Sequence, residues 1–201
     1  MRTNWAENYQ YQAKNLQQPK TVMEVQALVK KMDQQKALGS CHCFNDIADN
    51  PANQISTEHF NKVIAIDEQN HTVTLEAGAR YGQFAQELDD QGYALHNLAS
   101  LPHISVAGAC ATATHGSGTN NGNLATAVSA LEMVTPDGEL LTLSRDVDGE
   151  EFNGVVVGLG ALGIVTKMTL DLQPTYSVRQ DLFQDLPLEA IKDNFEAIMS
   201  S

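Results

Sequence analysis

The chain has 201 residues, enough for one large domain or two small lobes. Apolar residues make up 42% of it and charged residues 18%, a balance that supports a packed core and excludes a disordered chain. A net charge of −13 excludes nucleic acid as a partner, because phosphate binding there needs clustered lysine and arginine.

The start, MRTNWAENYQYQ, has no apolar leader, and no apolar run is long enough to span a bilayer, so no membrane partner is expected. Three cysteines without a leader predict free thiols in a reducing, cytoplasmic setting. PKTVMEVQALVKKMDQQ reads as a helix. Thr21 is its cap, Glu24 stands at the capping-box position, and Val22, Val25, Leu28, Val29 and Met32 share one apolar face. KALGSCH predicts a short strand running into a Gly-Ser loop. KVIAID and HTVTLEAGA alternate as two strands joined by the turn EQN. RYGQFAQELDDQG is a second amphipathic helix, with Tyr81, Phe84 and Leu88 inward and Gly92 at its C-terminal end.

From Tyr93 to Asn123 the sequence is poor in charge and rich in Gly, Ala, Ser and Thr. SALEMVTPDGELLTLSR then predicts a hairpin turning at Pro136-Asp137-Gly138. FNGVVVGLGALGIVTKMTLDLQP begins as an apolar helix or loop, breaks at Gly158, Gly160 and Gly163, and ends as a strand. Strands and helices mix without regular β-α alternation, so the fold class is α+β.

Cys41-His42-Cys43 invites three chemistries. Consecutive ligands diverge along an extended chain and no CxxC or HxxxH completes a set, so no metal is expected. Cys41 and Cys43 lie too close in sequence for a relaxed disulfide. The segment SVAGACATATHGSG reads in two ways. It is either a tightly packed buried helix or a row of backbone N–H groups and hydroxyls left open to an extended polar ligand. Backbone donors of the second kind would let an acidic protein hold a pyrophosphate without lysine or arginine. GLGALG at 158–163 fits G-x-G-x-x-G, but it precedes a strand rather than opening a helix, which makes it a weak dinucleotide signature.

In order along the chain, NWAENYQYQAKNLQQPKTVMEVQALV, ALGSCHCFNDIA, AGARYGQFAQEL, NLASLPHISVAGACATATHGSG, LEMVTPDGELLTLSR and GLGALGIVTKMTLDLQPTY resemble the FAD-binding half of alditol oxidases and related sugar-lactone oxidases. These belong to the vanillyl-alcohol oxidase superfamily. SLPHISVAG followed by THGSG is specific as a combination, and the resemblance runs from about Asn4 to the C-terminus. It implies a para-cresol methylhydroxylase-type FAD-binding domain of two α+β subdomains, split near residue 98, with FAD between them. Residues 1–175 would form that domain and residues 176–201 the start of a substrate-binding domain.

The resemblance also implies roles. His42 would be joined covalently to the flavin, within a loop of Gly39, Ser40, Cys41, His42, Cys43, Phe44 and Asn45 whose backbone N–H groups wrap the FAD pyrophosphate. Ser105, Gly108, Thr112, Thr114, His115 and Gly116 fall on a second flavin-binding stretch, and Gly163, Ile164 and Val165 near the adenosine end. Ser100 aligns with a serine beside the ring and is the candidate catalytic residue. Cys41 stands where glycine is common and Cys43 where serine is usual, so a positive φ at residue 41 would carry strain. The implied reaction oxidises the CH–OH group of a polyol or sugar-type alcohol with molecular oxygen, giving hydrogen peroxide. Family members carry a substrate-binding domain after this half, so the chain alone is expected to be inactive until that domain or a second chain joins it. The alternative is a flavin-binding module without turnover of its own.

Overall fold

The computed structural model describes residues 2–118 and 120–200. Three short parallel strands open the fold: β1 (Asn15–Gln17), β2 (Lys36–Leu38) and β3 (Asn53–Ser56), in the spatial order β1-β3-β2. The expected first helix joins β1 to β2 as α1 (Val22–Lys31). Thr21 caps it by accepting from the Glu24 N–H at 3.2 Å, while the Glu24 carboxylate accepts from the Lys20 N–H at 2.7 Å. Val25 and Val29 are buried against Ile55 and Phe60, with Val22, Leu28 and Met32 packed around them. The sequence carries little sign of β1 and β3, since Asn-Leu-Gln and Asn-Gln-Ile-Ser are short and polar.

The chain then enters a larger sheet through β4 (Val63–Asp67) and β5 (Thr72–Glu76), the predicted hairpin. Helix α2 (Tyr81–Asp90) follows, with Tyr81, Phe84 and Leu88 buried as their spacing requires and Gly92 beyond it at φ +83°. After β6 (Tyr93–Ala94) comes α3 (Val106–Ala111), so the small-residue segment does contain a packed helix, with Val106, Ala109 and Cys110 inward. β7 (Val128–Val134) and β8 (Leu140–Ser144) form the second hairpin, and Gly138 adopts φ +79° in its turn. Helix α4 (Arg145–Val156) leads to β9 (Ile164–Asp171), and β10 (Gln173–Pro174) pairs with β6.

The five long strands lie in the order β4-β5-β9-β7-β8, every pairing antiparallel. On β9, Ile164, Thr166, Met168 and Leu170 are buried while the residues between them are half-buried, which is the period-2 signature of a sheet with one covered face. The main core gathers Val73, Leu75, Phe84, Leu88, Val106 and Met168 between this sheet and the helices. The chain passes from the first sheet to the second between Ser56 and Val63, and β5 pairs directly with β9. Gly78 marks where the sheets meet: a Cβ there would stand 1.9 Å from the Thr57 carbonyl oxygen. The architecture is α+β, as expected. The last helix, α5 (Leu188–Met199), buries none of its residues. Among the described residues no helix is long and apolar enough to cross a membrane.

Candidate cofactor site

A cavity of about 590 Å³ lies among the loop after β2, helix α3 and the turn from α4 into β9, a volume within the range of cofactor sites. All seven residues from Gly39 to Asn45 line it. Ser105, Gly108, Thr112 and Thr114 face them from α3 and its end, and Gly163 and Val165 from the start of β9. The glycines permit this closeness. A Cβ on Gly39 or Gly108 would come within 2.5 or 2.8 Å of the Ser105 hydroxyl. Ser40 latches the two walls together: its Oγ accepts from the Ser105 N–H at 2.9 Å and lies 3.1 Å from His42 Nδ1.

Four expected residues lie outside this lining. Ser100, His115 and Gly116 are exposed, and Ile164 is buried in the smaller core beside a second cavity of about 480 Å³ under α1. Conversely, Lys36, Leu101, Ile104, Val155 and Gly160 line the cavity without having been singled out as ligands. Gly160 sits inside the GLGALG pattern and Lys36 immediately precedes the His42 loop segment, so both lay within reach of the sequence signals.

The loop is held from outside by the N-terminal segment. Asn4, only 2% exposed, donates from Nδ2 to the Cys43 carbonyl at 2.9 Å and to Asn8 Oδ1 at 2.6 Å. The Trp5 N–H donates to the Cys41 carbonyl at 2.7 Å. Cys41 adopts φ +62°, the left-handed conformation that its replacement of glycine anticipates. The Trp5 indole stacks on His42 with ring centres 5.3 Å apart, and His103 packs against both rings, 4.6 Å from His42 and 5.9 Å from Trp5.

This enclosure sets the charge state of His42. Burial, then the neighbouring His103 and Arg80, hold its imidazole below the usual histidine pKa, outweighing the Ser40 hydrogen bond, so it is neutral near pH 7. Its Nε2 and that of His103 are buried without a hydrogen-bond partner among the described residues. An unpartnered ring nitrogen on the wall of a glycine-lined cavity fits a ligand that meets the histidine there. The cysteines are of another kind. Burial pushes the Cys43 thiol up and that of Cys110 to about 12, so both are protonated thiols, and all three cysteines are free. Among the described residues no group of three or more His, Cys, Asp or Glu side chains is arranged to hold a metal.

A glycine-rich cleft between a histidine loop and a small-residue helix, in an α+β frame, defines a flavin-binding domain, and the chain belongs to the FAD binding domain family, whose model matches residues 13–144. Its fold is of the para-cresol methylhydroxylase type and its cofactor is FAD. Among individual proteins, it is 42% identical over 207 residues to the alditol oxidase of Streptomyces sp. (strain IKD472 / FERM P-14339), covering 99% of this chain and 48% of that protein. It is 31% identical over 198 residues to the L-gulonolactone oxidase of Mus musculus, covering 96% and 45%. With the mitochondrial L-galactono-1,4-lactone dehydrogenase of Arabidopsis thaliana it shares 28% over 203 residues, covering 99% and 33%. The chain therefore spans about half the length, or less, of these relatives, and it is the FAD-binding part of an oxidoreductase family.

Proposed function

We propose that the chain is the FAD-binding half of an oxidase that converts the CH–OH group of a polyol or sugar-type alcohol to a carbonyl, with molecular oxygen reduced to hydrogen peroxide. The observation that carries this reading is the Ser40 latch. It closes the His42 loop onto α3 around one cavity, in a chain 42% identical over 207 residues to an alditol oxidase. Bound FAD supplies the two-electron acceptor that no side chain provides.

The chain's own residues bind and orient. The loop from Gly39 to Asn45 wraps the cofactor, and Ser105, Gly108, Thr112 and Thr114 form the facing wall, with exposed His115 and Gly116 continuing that stretch beyond it. Gly163 and Val165 attend its adenosine end, with Ile164 buried behind them. His42 is the covalent tether: a neutral imidazole keeps a nitrogen lone pair free, and the stacked Trp5 limits the ring's rotation. Ser100, exposed on the loop ahead of α3, is the residue that approaches substrate. Residues 1–175 make up the FAD-binding domain, and residues 176–201 begin a substrate-binding domain that the chain needs for turnover. The setting is cytoplasmic.

A second reading is a flavin-binding module without turnover, in which α5, burying none of its residues, packs against no substrate domain. One experiment separates the two. The chain is fused to the C-terminal half of the Streptomyces alditol oxidase, loaded with FAD, and given xylitol or sorbitol without oxygen. Bleaching of the flavin absorbance, followed by peroxide on admission of air, supports the oxidase. A fusion that holds FAD yet keeps an unchanged spectrum supports the module.

A further inference from the structure

The cavity has one cation in its lining, Lys36, at the start of β2. Its Nζ lies 3.9 Å from where a Cβ of Gly160 would stand, so the ammonium sits beside the backbone of the turn into β9. Across the same wall its positive charge acts on the Cys43 thiol, opposing the larger upward push of burial. The ion pairs among the described residues are made by other lysines, arginines and histidines, and Lys36 has no carboxylate partner there. A cation on the wall of a cavity offers an anionic ligand a charge-assisted partner.

Its position along the strand says which part of the ligand it meets. Three residue steps of about 3.3 Å each put roughly 10 Å of extended backbone between Lys36 and Gly39, where the loop carrying His42 begins. Lys36 therefore stands beside Gly160 on the approach to the His42 loop rather than at His42 itself. The diphosphate is the anion of FAD, the group that a cation at this wall would hold.

We propose that Lys36 binds the anionic adenosine-diphosphate end of FAD, and so selects FAD over flavins that lack phosphate. The proposal rests on the reading of this cavity as the FAD site. It alters one expectation from the sequence, that backbone donors would hold the cofactor without a basic side chain. A charge-assisted hydrogen bond in a partly desolvated cleft is about twice as strong as a neutral one, so backbone N–H groups alone leave much of the attraction unused.

The test is equilibrium binding of FAD and of riboflavin to the whole chain, in a His42→Ala background that keeps binding reversible, at low and high salt. Lys36→Met, which keeps the apolar stem, is expected to weaken FAD binding at least about ten-fold at low salt and riboflavin binding less than about two-fold. High salt should shrink the difference, and Lys36→Arg should restore most of the FAD affinity. Unchanged FAD affinity in Lys36→Met overturns the proposal, as does an equal loss for both flavins, which would mark Lys36 as merely structural. Absence of FAD binding before Lys36 is altered removes the FAD-site reading itself. Tight binding that ignores Lys36 removes only the lysine's role.

Discussion

Cys41 offers a prediction whose sign is opposite to the usual one. At an ordinary position in a regular element, glycine is less stabilising than alanine by about 0.5–1 kcal/mol, because it loses more backbone freedom on folding. At Cys41 the backbone sits at φ +62°, where a Cβ costs roughly 1–2 kcal/mol and glycine pays nothing. Cys41→Gly and Cys41→Ala both remove the thiol near Tyr11, so that shared loss cancels when the two variants are compared. Subtracting the entropic penalty of glycine from the relief of strain leaves Cys41→Gly ahead by at most about 1.5 kcal/mol, and by about 0.75 kcal/mol at the middle of both ranges. For a domain of this size that is a melting temperature about 2–4 °C above that of Cys41→Ala. Thermal unfolding followed by far-UV circular dichroism measures it. If Cys41→Ala melts at the same temperature as Cys41→Gly or higher, the left-handed turn beside His42 is refuted.

Other consequences follow from the same geometry. Asn4→Ala removes a buried donor to the Cys43 carbonyl and should lower stability in urea unfolding by about 1–3 kcal/mol, with a parallel loss of FAD affinity as the His42 loop loosens. Gly78→Ala puts a carbon 1.9 Å from the Thr57 carbonyl oxygen, a clash of backbone with backbone. It should cost at least about 3 kcal/mol, read as a melting temperature lower by about 6–12 °C or as insoluble protein. His42 has a folded-state pKa below its unfolded value near 6.5, so the unfolded chain binds its proton first as pH falls. Its contribution to stability is therefore complete above that value and declines as pH drops toward the folded pKa. Melting between pH 7.5 and 5 should show a shallower decline in His42→Gln than in the unaltered chain, and equal slopes would contradict this.

The elements with strong periodicity were legible from the sequence alone. The α1 face of Val25 and Val29, the α2 face of Tyr81, Phe84 and Leu88, and the hairpin around Gly138 each carry a local signal that the fold obeys. The strands β1 and β3 were not legible, because a three- or four-residue strand in a parallel sheet is fixed by partners far along the chain. The glycine loop was readable as a ligand loop only through resemblance, since Cys41-His42-Cys43 alone supports neither a metal site nor a relaxed disulfide and names no other ligand. What encloses His42 could not be read there at all. Trp5, Asn4 and His103 arrive from segments 37, 38 and 61 residues away, brought in by hydrogen bonds to loop carbonyls and by ring packing. Lys36 escaped notice for a different reason: a lone lysine at a strand start reads as solvent-exposed until the turn at Gly160 is seen beside it.

The central claim is that His42 holds FAD covalently in this cavity. Protein expressed with FAD available is precipitated with acid, washed, and its intact mass measured. A covalent bond gives a yellow pellet heavier by one FAD, with both colour and added mass lost in His42→Ala. A colourless pellet at the bare polypeptide mass, from protein that held FAD before acid was added, would contradict it.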